Sequence, residues 1–200
     1  MLRFRHISAT PTPSGLFPEI VLVNSHDGLS SYRLMAGVFR VVCSNGLVAG
    51  DFYGETRVRH QGNVIGQVIE GSYSVIKESR GMIESANKMS SISLSIPEAN
   101  RFAEEAHAIR FSDTPLFDSI KANYLLAPRR FADNKTDLFT VFNVVQENVI
   151  KGGIRGYSVS SNFRPKRVTS RAISSIDQNV ITNRALWSLA EKTMYQKLGH

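Results

Sequence analysis

Between residues 63 and 91 the apolar side chains fall on two adjacent rows with a spacing of seven. Val68, Val75, Met82 and Met89 form one row, and Ile69, Ile76 and Ile83 the other. A strand repeats every two residues, so this period predicts one long amphipathic helix. Such a stripe ordinarily packs on a sheet, and packing between subunits is its other use. The residues before it follow a different rule. Mostly apolar runs at 19–24, 32–43 and 47–49, and an alternating run at 52–60 with Tyr53, Glu55, Arg57 and Arg59 against Gly54, Thr56 and Val58, are set off by polar turn residues, namely His26, Asp27 and Gly28, then Ser44, Asn45 and Gly46. Runs of that length between turn signals predict an antiparallel meander of three or four strands. Polar groups gathered at strand ends are also where a site would form.

Helical signals dominate the rest of the chain. Ser95 and Glu98 are spaced as a capping box with Pro97 in the first turn, which predicts a helix over 97–111. Residues 112–134 read as proline-containing turns. A third helix is expected over 137–151, with Leu138, Val141, Phe142, Val145 and Val149 on its apolar face. Its other face carries Asn143, Gln146, Glu147 and Lys151, and Gly152 and Gly153 end it. A fourth helix, 175–198, has Ile176, Val180, Trp187, Ala190 and Met194 in phase. The expected fold is α+β: an antiparallel β-meander packed against a long amphipathic helix, followed by a mainly helical C-terminal half. Residues 1–18, with three prolines, read as an irregular arm holding a short strand near 2–7. Residues 19–200 then form a single domain, with the sheet and long helix in 19–91 and the helical, basic half in 92–200.

Composition narrows the function classes. No stretch holds eighteen uninterrupted apolar residues, so no transmembrane helix is expected. Met1, Leu2, Arg3, Phe4, Arg5 and His6 precede no apolar core of a leader. One cysteine suits a reducing compartment, so the cytoplasm is the expected location. The formal charge is +7, and the excess lies mostly in the second half. From Lys151 to Arg171 there are six basic residues and no acidic one: Lys151, Arg155, Arg164, Lys166, Arg167 and Arg171. That density is a footprint for a polyanion, or a solvated basic loop or hairpin.

Tyr157 and Phe163 lie within the same stretch. Arg33, Arg40, Arg57 and Arg59 fall on expected strands with Phe52 and Tyr53 nearby. Basic residues interleaved with aromatics suit single strands, whose exposed bases can stack. Alternatively the strand arginines pair with Glu55, Asp27 and Asp51 inside the fold. No recognition helix or zinc finger for duplex reading is present. No phosphate loop of the Walker type is present either: Gly28 and Gly46 are turn glycines, and Gly152, Gly153 and Gly156 follow a helix. A nucleotide cofactor and nucleotide hydrolysis are therefore not expected.

An enzyme is the alternative. His26, Asp27, Cys43 and His60 contain the residue types of a Cys–His nucleophile with an orienting carboxylate. A lone cysteine at a strand end is more ordinarily a small buried hydrophobe. A magnesium-dependent nuclease needs several carboxylates, which Asp27, Asp51 and Glu55 would supply. His6, His26, Asp27, Asp51 and His60 show no familiar zinc spacing, so no metal site is expected.

Four stretches carry a resemblance: Asn24 to Gly28, Arg40 to Gly46, Phe142 to Gly153, and Asn183 to Trp187. Together they resemble the phage/plasmid-like protein family classed as domain of unknown function 932, from about residue 19 to the C-terminus. The resemblance implies a protein of phages, conjugative plasmids and integrated elements. A further implied kinship is to ring-forming single-strand annealing proteins, which have a curved antiparallel sheet crossed by a long helix and a basic groove. The family's polar residues correspond here to Asn24, His26, Asp27, Arg40, Cys43, Asn45 and Asn148. They are equally compatible with an active site, which an annealing protein does not need.

The expectation is therefore a single-stranded DNA-binding and annealing protein of a mobile element, acting in recombination or repair, without ATP and without a cofactor. It would work as a homo-oligomer, in the form of a ring. Its strand contacts would be Arg33, Arg40, Arg57, Arg59, Lys151, Arg155, Tyr157, Phe163, Arg164, Lys166, Arg167 and Arg171. The competing expectations are a hydrolase or nuclease at His26, Asp27, Cys43 and His60, and an anti-defence protein that binds a host recombination or defence protein.

Overall fold

The computed structural model describes residues 2–5, 16–23, 32–40, 43–48, 55–58, 63–159 and 164–199. The chain mixes helix and strand and divides into two compact units, Met1–Asn87 and Lys88–His200.

The first unit holds five strands: β1 (Leu2–Arg5), β2 (Leu16–Val23), β3 (Tyr32–Arg40), β4 (Cys43–Val48) and β5 (Glu55–Val58). They form one sheet in the order β1-β2-β3-β4, with β5 also paired to β3. All pairings are antiparallel. Seven residues of the expected arm are thus strand: Leu2–Arg5, where a short strand is expected, and Leu16, Phe17 and Pro18, which begin β2 earlier than the expected start at Glu19. β1 pairs with Glu19 to Leu22 only, so Pro18 lies beyond its end and leaves no ladder bond to β1 unmade. β4 meets β3 at Gly37 to Arg40 and β5 meets it at Tyr32 to Met35, so the two divide one edge of β3. Leu34 and Met35 are consecutive and both buried, hence both faces of β3 are covered there.

The tight turn expected at Ser44, Asn45 and Gly46 is not formed. β4 runs through all three, Cys43 pairs with Arg40 and Gly46 with Phe39, and the register shifts between those pairs. Ser44 and Asn45 are the extra residues of a bulge, and the long strand expected over 32–43 stops at Arg40. Helix α1 (Val64–Ser90) comes next. Val75, Met82 and Met89, three members of one predicted row, are fully buried, whereas Ile69 is exposed.

In the second unit, helix α2 (Ile96–Phe111) begins at the expected box: Glu98 accepts from the Ser95 amide at 2.8 Å and from its hydroxyl at 2.7 Å. The Glu98 carboxyl also accepts from Lys197 at 2.9 Å. Those bonds, Lys197 first and Ser95 next, lower its pKa to about 2. Residues 112–134 form turns and two short 3₁₀ segments, Ala122–Leu126 and Phe131–Asp133. Helix α3 (Leu138–Lys151) starts at Asp137, whose carboxylate caps the Thr140 amide at 2.9 Å. Helix α4 (Ile176–Leu198) starts at Ser175, which caps Gln178.

α3 is the centre of this unit. Every residue from Leu138 to Val149 is buried, including Asn143, Gln146 and Glu147, three of the four polar positions expected to form an outer face; Lys151, the fourth, is exposed. The donors of the buried amides find partners: Asn143 donates to the Phe139 carbonyl at 2.6 Å, and Gln146 Nε2 to Asn183 Oδ1 on α4 at 2.6 Å, while Gln146 Oε1 is buried without a hydrogen bond among the described residues. Phe142 meets Trp187 edge to face, with ring centres 5.6 Å apart.

Candidate nucleic-acid interface

The basic stretch folds as a hairpin after α3. Gly152 ends the helix at φ 62°, and a Cβ there would lie 2.6 Å from the Arg171 carbonyl carbon. Only glycine fits both the backbone angle and the neighbour. Strands β6 (Arg155–Val159) and β7 (Pro165–Thr169) then pair antiparallel. Gly156 seats the hairpin: a Cβ on it would reach within 2.0 Å of the Ser119 carbonyl oxygen. That same oxygen accepts from the Tyr157 amide at 2.9 Å.

Register sorts the basic residues. Arg155 pairs with Thr169 and Tyr157 with Arg167, so these four share one face of the hairpin. Lys166 pairs with Ser158 on the other face. Arg155, Tyr157, Arg164, Lys166 and Arg167 are all exposed.

Beside the hairpin lies an open groove of about 500 Å³, whose lining includes Tyr124, Arg129, Asn148, Arg155 and Tyr157. Two tyrosines and two arginines thus contribute to the lining of one concave surface, together with Ala127, Pro128 and Ile154. Its floor is tied to the last turns of α3. The buried Asn148 accepts from Arg129 Nε at 2.8 Å and donates to the carbonyls of Leu125 and Ala127 at 2.8 and 2.9 Å. Arg129 also donates to the Gly152 carbonyl. One residue earlier, the buried Glu147 accepts from both donors of the Arg130 fork and, at 2.7 Å, from Lys151. Arg130 also donates to Asp133 at 3.0 Å. Burial pushes the Glu147 carboxyl up, but hydrogen bonds and charge from Arg130 and Lys151 outweigh it and hold its pKa below the ordinary carboxylate value.

The expected contact residues therefore separate. Arg155 and Tyr157 line the groove, Arg167 shares their hairpin face, and Lys166 lies on the opposite one. Arg164 is exposed just before β7. Lys151 is paired with Glu147. The exposed Arg171 offers its backbone carbonyl to Arg110 at 3.3 Å. Arg33 and Arg57 occupy facing positions on β3 and β5, and Arg40 faces Cys43 across β3 and β4. Asn24, His26, Asp27, Arg59, His60 and Phe163 lie outside the described residues. Among the described residues no three His, Cys, Asp or Glu side chains gather as metal ligands, and no helix is long and apolar enough to cross a membrane.

Residues 112–134 read from the sequence only as proline-containing turns, so neither Tyr124 nor Arg129 is expected at a site. Tyr124 sits in an apolar run that gave no signal. Arg129 acquires its place through Asn148, nineteen positions away in the chain.

The molecule is thus a mixed helix-and-strand protein with a groove walled by tyrosine and arginine. It belongs to the family described as "Domain of unknown function (DUF932)", whose pattern matches residues 4–187. The chain is 42% identical over 179 residues to UPF0380 protein YfjQ of Escherichia coli (strain K12), covering 90% of this chain and 63% of that protein. UPF0380 protein YafZ of the same organism gives the same identity and coverage, 42% over 179 residues, 90% and 63%. The chain therefore spans less than two thirds of the length of these relatives. No solved structure matches it.

Proposed function

We propose that the protein binds single-stranded DNA through the groove and the β6–β7 hairpin and promotes annealing of complementary strands without nucleotide hydrolysis. It would serve recombination or repair of a phage or plasmid in the cytoplasm, as a homo-oligomer. The sheet of the first unit would pack on an amphipathic α1, and the helical unit would carry the strand.

The observation that carries this reading is the meeting of Tyr124 and Tyr157 with Arg129 and Arg155 around one groove. Arginines bind phosphates and tyrosine rings take unpaired bases, each stacked base contributing roughly 1–3 kcal/mol. A duplex keeps its bases stacked on one another, so the rings favour single strands. The exposed Arg164, Lys166 and Arg167 extend the positive field along the hairpin.

Fluorescence anisotropy of a labelled single strand, titrated across salt concentrations, tests the proposal. Binding should weaken with salt, log affinity falling by about 0.7 per phosphate contacted for each unit of log salt. Absence of binding at low salt, or binding with no salt slope, would refute it.

A further inference from the structure

Two consecutive arginines, Arg129 and Arg130, are gripped by two consecutive residues of α3, Asn148 and Glu147. The grips differ in charge. Arg130 meets two carboxylates, Glu147 and Asp133, so its charge is balanced inside the protein. Arg129 is held by neutral acceptors, the Asn148 side-chain oxygen and the Gly152 carbonyl. Neutral acceptors orient a guanidinium without cancelling its charge. Two of its five N–H groups are used by these bonds, and the side chain lines the groove. Asn148 is itself fixed by its two bonds to the carbonyls of Leu125 and Ala127, so the orientation is set before any ligand arrives. A planar fork with free donors and an uncancelled charge matches the oxygens of a phosphodiester.

We infer that Arg129 is the phosphate-binding cation of the groove, that Asn148 is its positioning residue, and that Arg130 is structural. The inference rests on the reading of the groove as a single-strand site.

Arg129→Gln, Arg129→Lys, Asn148→Ala and Arg130→Gln, measured in the same salt titration, test it. Folding is followed in parallel through the emission of Trp187. Arg129→Gln should bind about tenfold more weakly at low salt, with the slope shallower by about 0.7, and should unfold somewhat more readily because Asn148 and Gly152 lose their donor, so affinity and slope are compared under conditions where Trp187 emission shows the variant folded. Arg129→Lys should keep the slope and still lose affinity, because the charge remains without the fork. Asn148→Ala should likewise keep the slope and lose affinity. Arg130→Gln should unfold more readily yet bind with the wild-type slope. A wild type that binds, together with an Arg129→Gln protein of equal affinity and slope, overturns the role of Arg129. An Asn148→Ala protein of wild-type affinity overturns the role of Asn148. A wild type that does not bind at all refutes the single-strand reading itself.

Discussion

Replacing Glu147 by Gln keeps the shape of the side chain and removes one charge from the middle of α3. The Glu147 side chain is 3% exposed, against 27% for Arg130 and 38% for Lys151. Breaking a fully buried ion pair costs about 3–5 kcal/mol. Both cations here reach solvent and Arg130 keeps Asp133, so screening lowers the expected loss to about 2–3 kcal/mol. Urea unfolding followed through Trp187 measures it in the correct unit. Trp187 is the single tryptophan, is 1% exposed, and touches Phe142 on the same helix as Glu147. Acid gives an independent check. The folded carboxyl titrates below its unfolded value of about 4.3. Its contribution is therefore complete above that value and fades as pH falls through the lower folded one. The gap between wild type and Glu147→Gln should be full at neutral pH and close in acid. A gap under about 0.5 kcal/mol at neutral pH would refute the assignment, since surface ion pairs contribute that little, and so would a gap that stays constant into acid, since the loss would then not come from the charge.

Gly152→Ala should destabilise by about 2 kcal/mol or more, because φ is 62° and the new carbon meets the Arg171 backbone. Gly199→Ala has φ 76° with nothing within 4 Å, and should cost no more than about 1 kcal/mol in the same denaturation experiment. Tyr157→Ala removes a half-exposed ring and should leave unfolding unchanged while weakening single-strand binding roughly tenfold. Its affinity for duplex should not change, as a paired titration with both DNA forms would report.

Local chemistry made most of the second unit legible. The starts of α3 and α4 come from the Asp137 and Ser175 side chains, which cap amides three residues on, and that of α2 from Glu98, whose carboxylate reaches back to the Ser95 amide. The features that escaped the sequence depended on distant partners. Ser44, Asn45 and Gly46 have the composition of a turn, yet pairing with β3 draws them into a bulged strand. Gln146 and Glu147 have the composition of a solvated helix face, yet Asn183 accepts from the Gln146 amide and Arg130 pairs with Glu147 inside the unit. Lys151 counted toward the basic stretch, although Glu147, four residues before it, claims its charge. The groove was half legible: Arg155 and Tyr157 stand in the basic stretch, while Tyr124 and Arg129 come from a segment with no periodic signal.

The central claim is that a single strand lies in the groove between Tyr124 and Tyr157. Photocrosslinking a strand that carries 5-bromodeoxyuridine, followed by peptide mapping, locates the contact directly. Adducts should appear on the peptides holding Tyr124 and Tyr157 and be lost when both tyrosines are replaced by alanine. Adducts confined to other peptides, and unchanged in that double variant, would contradict it.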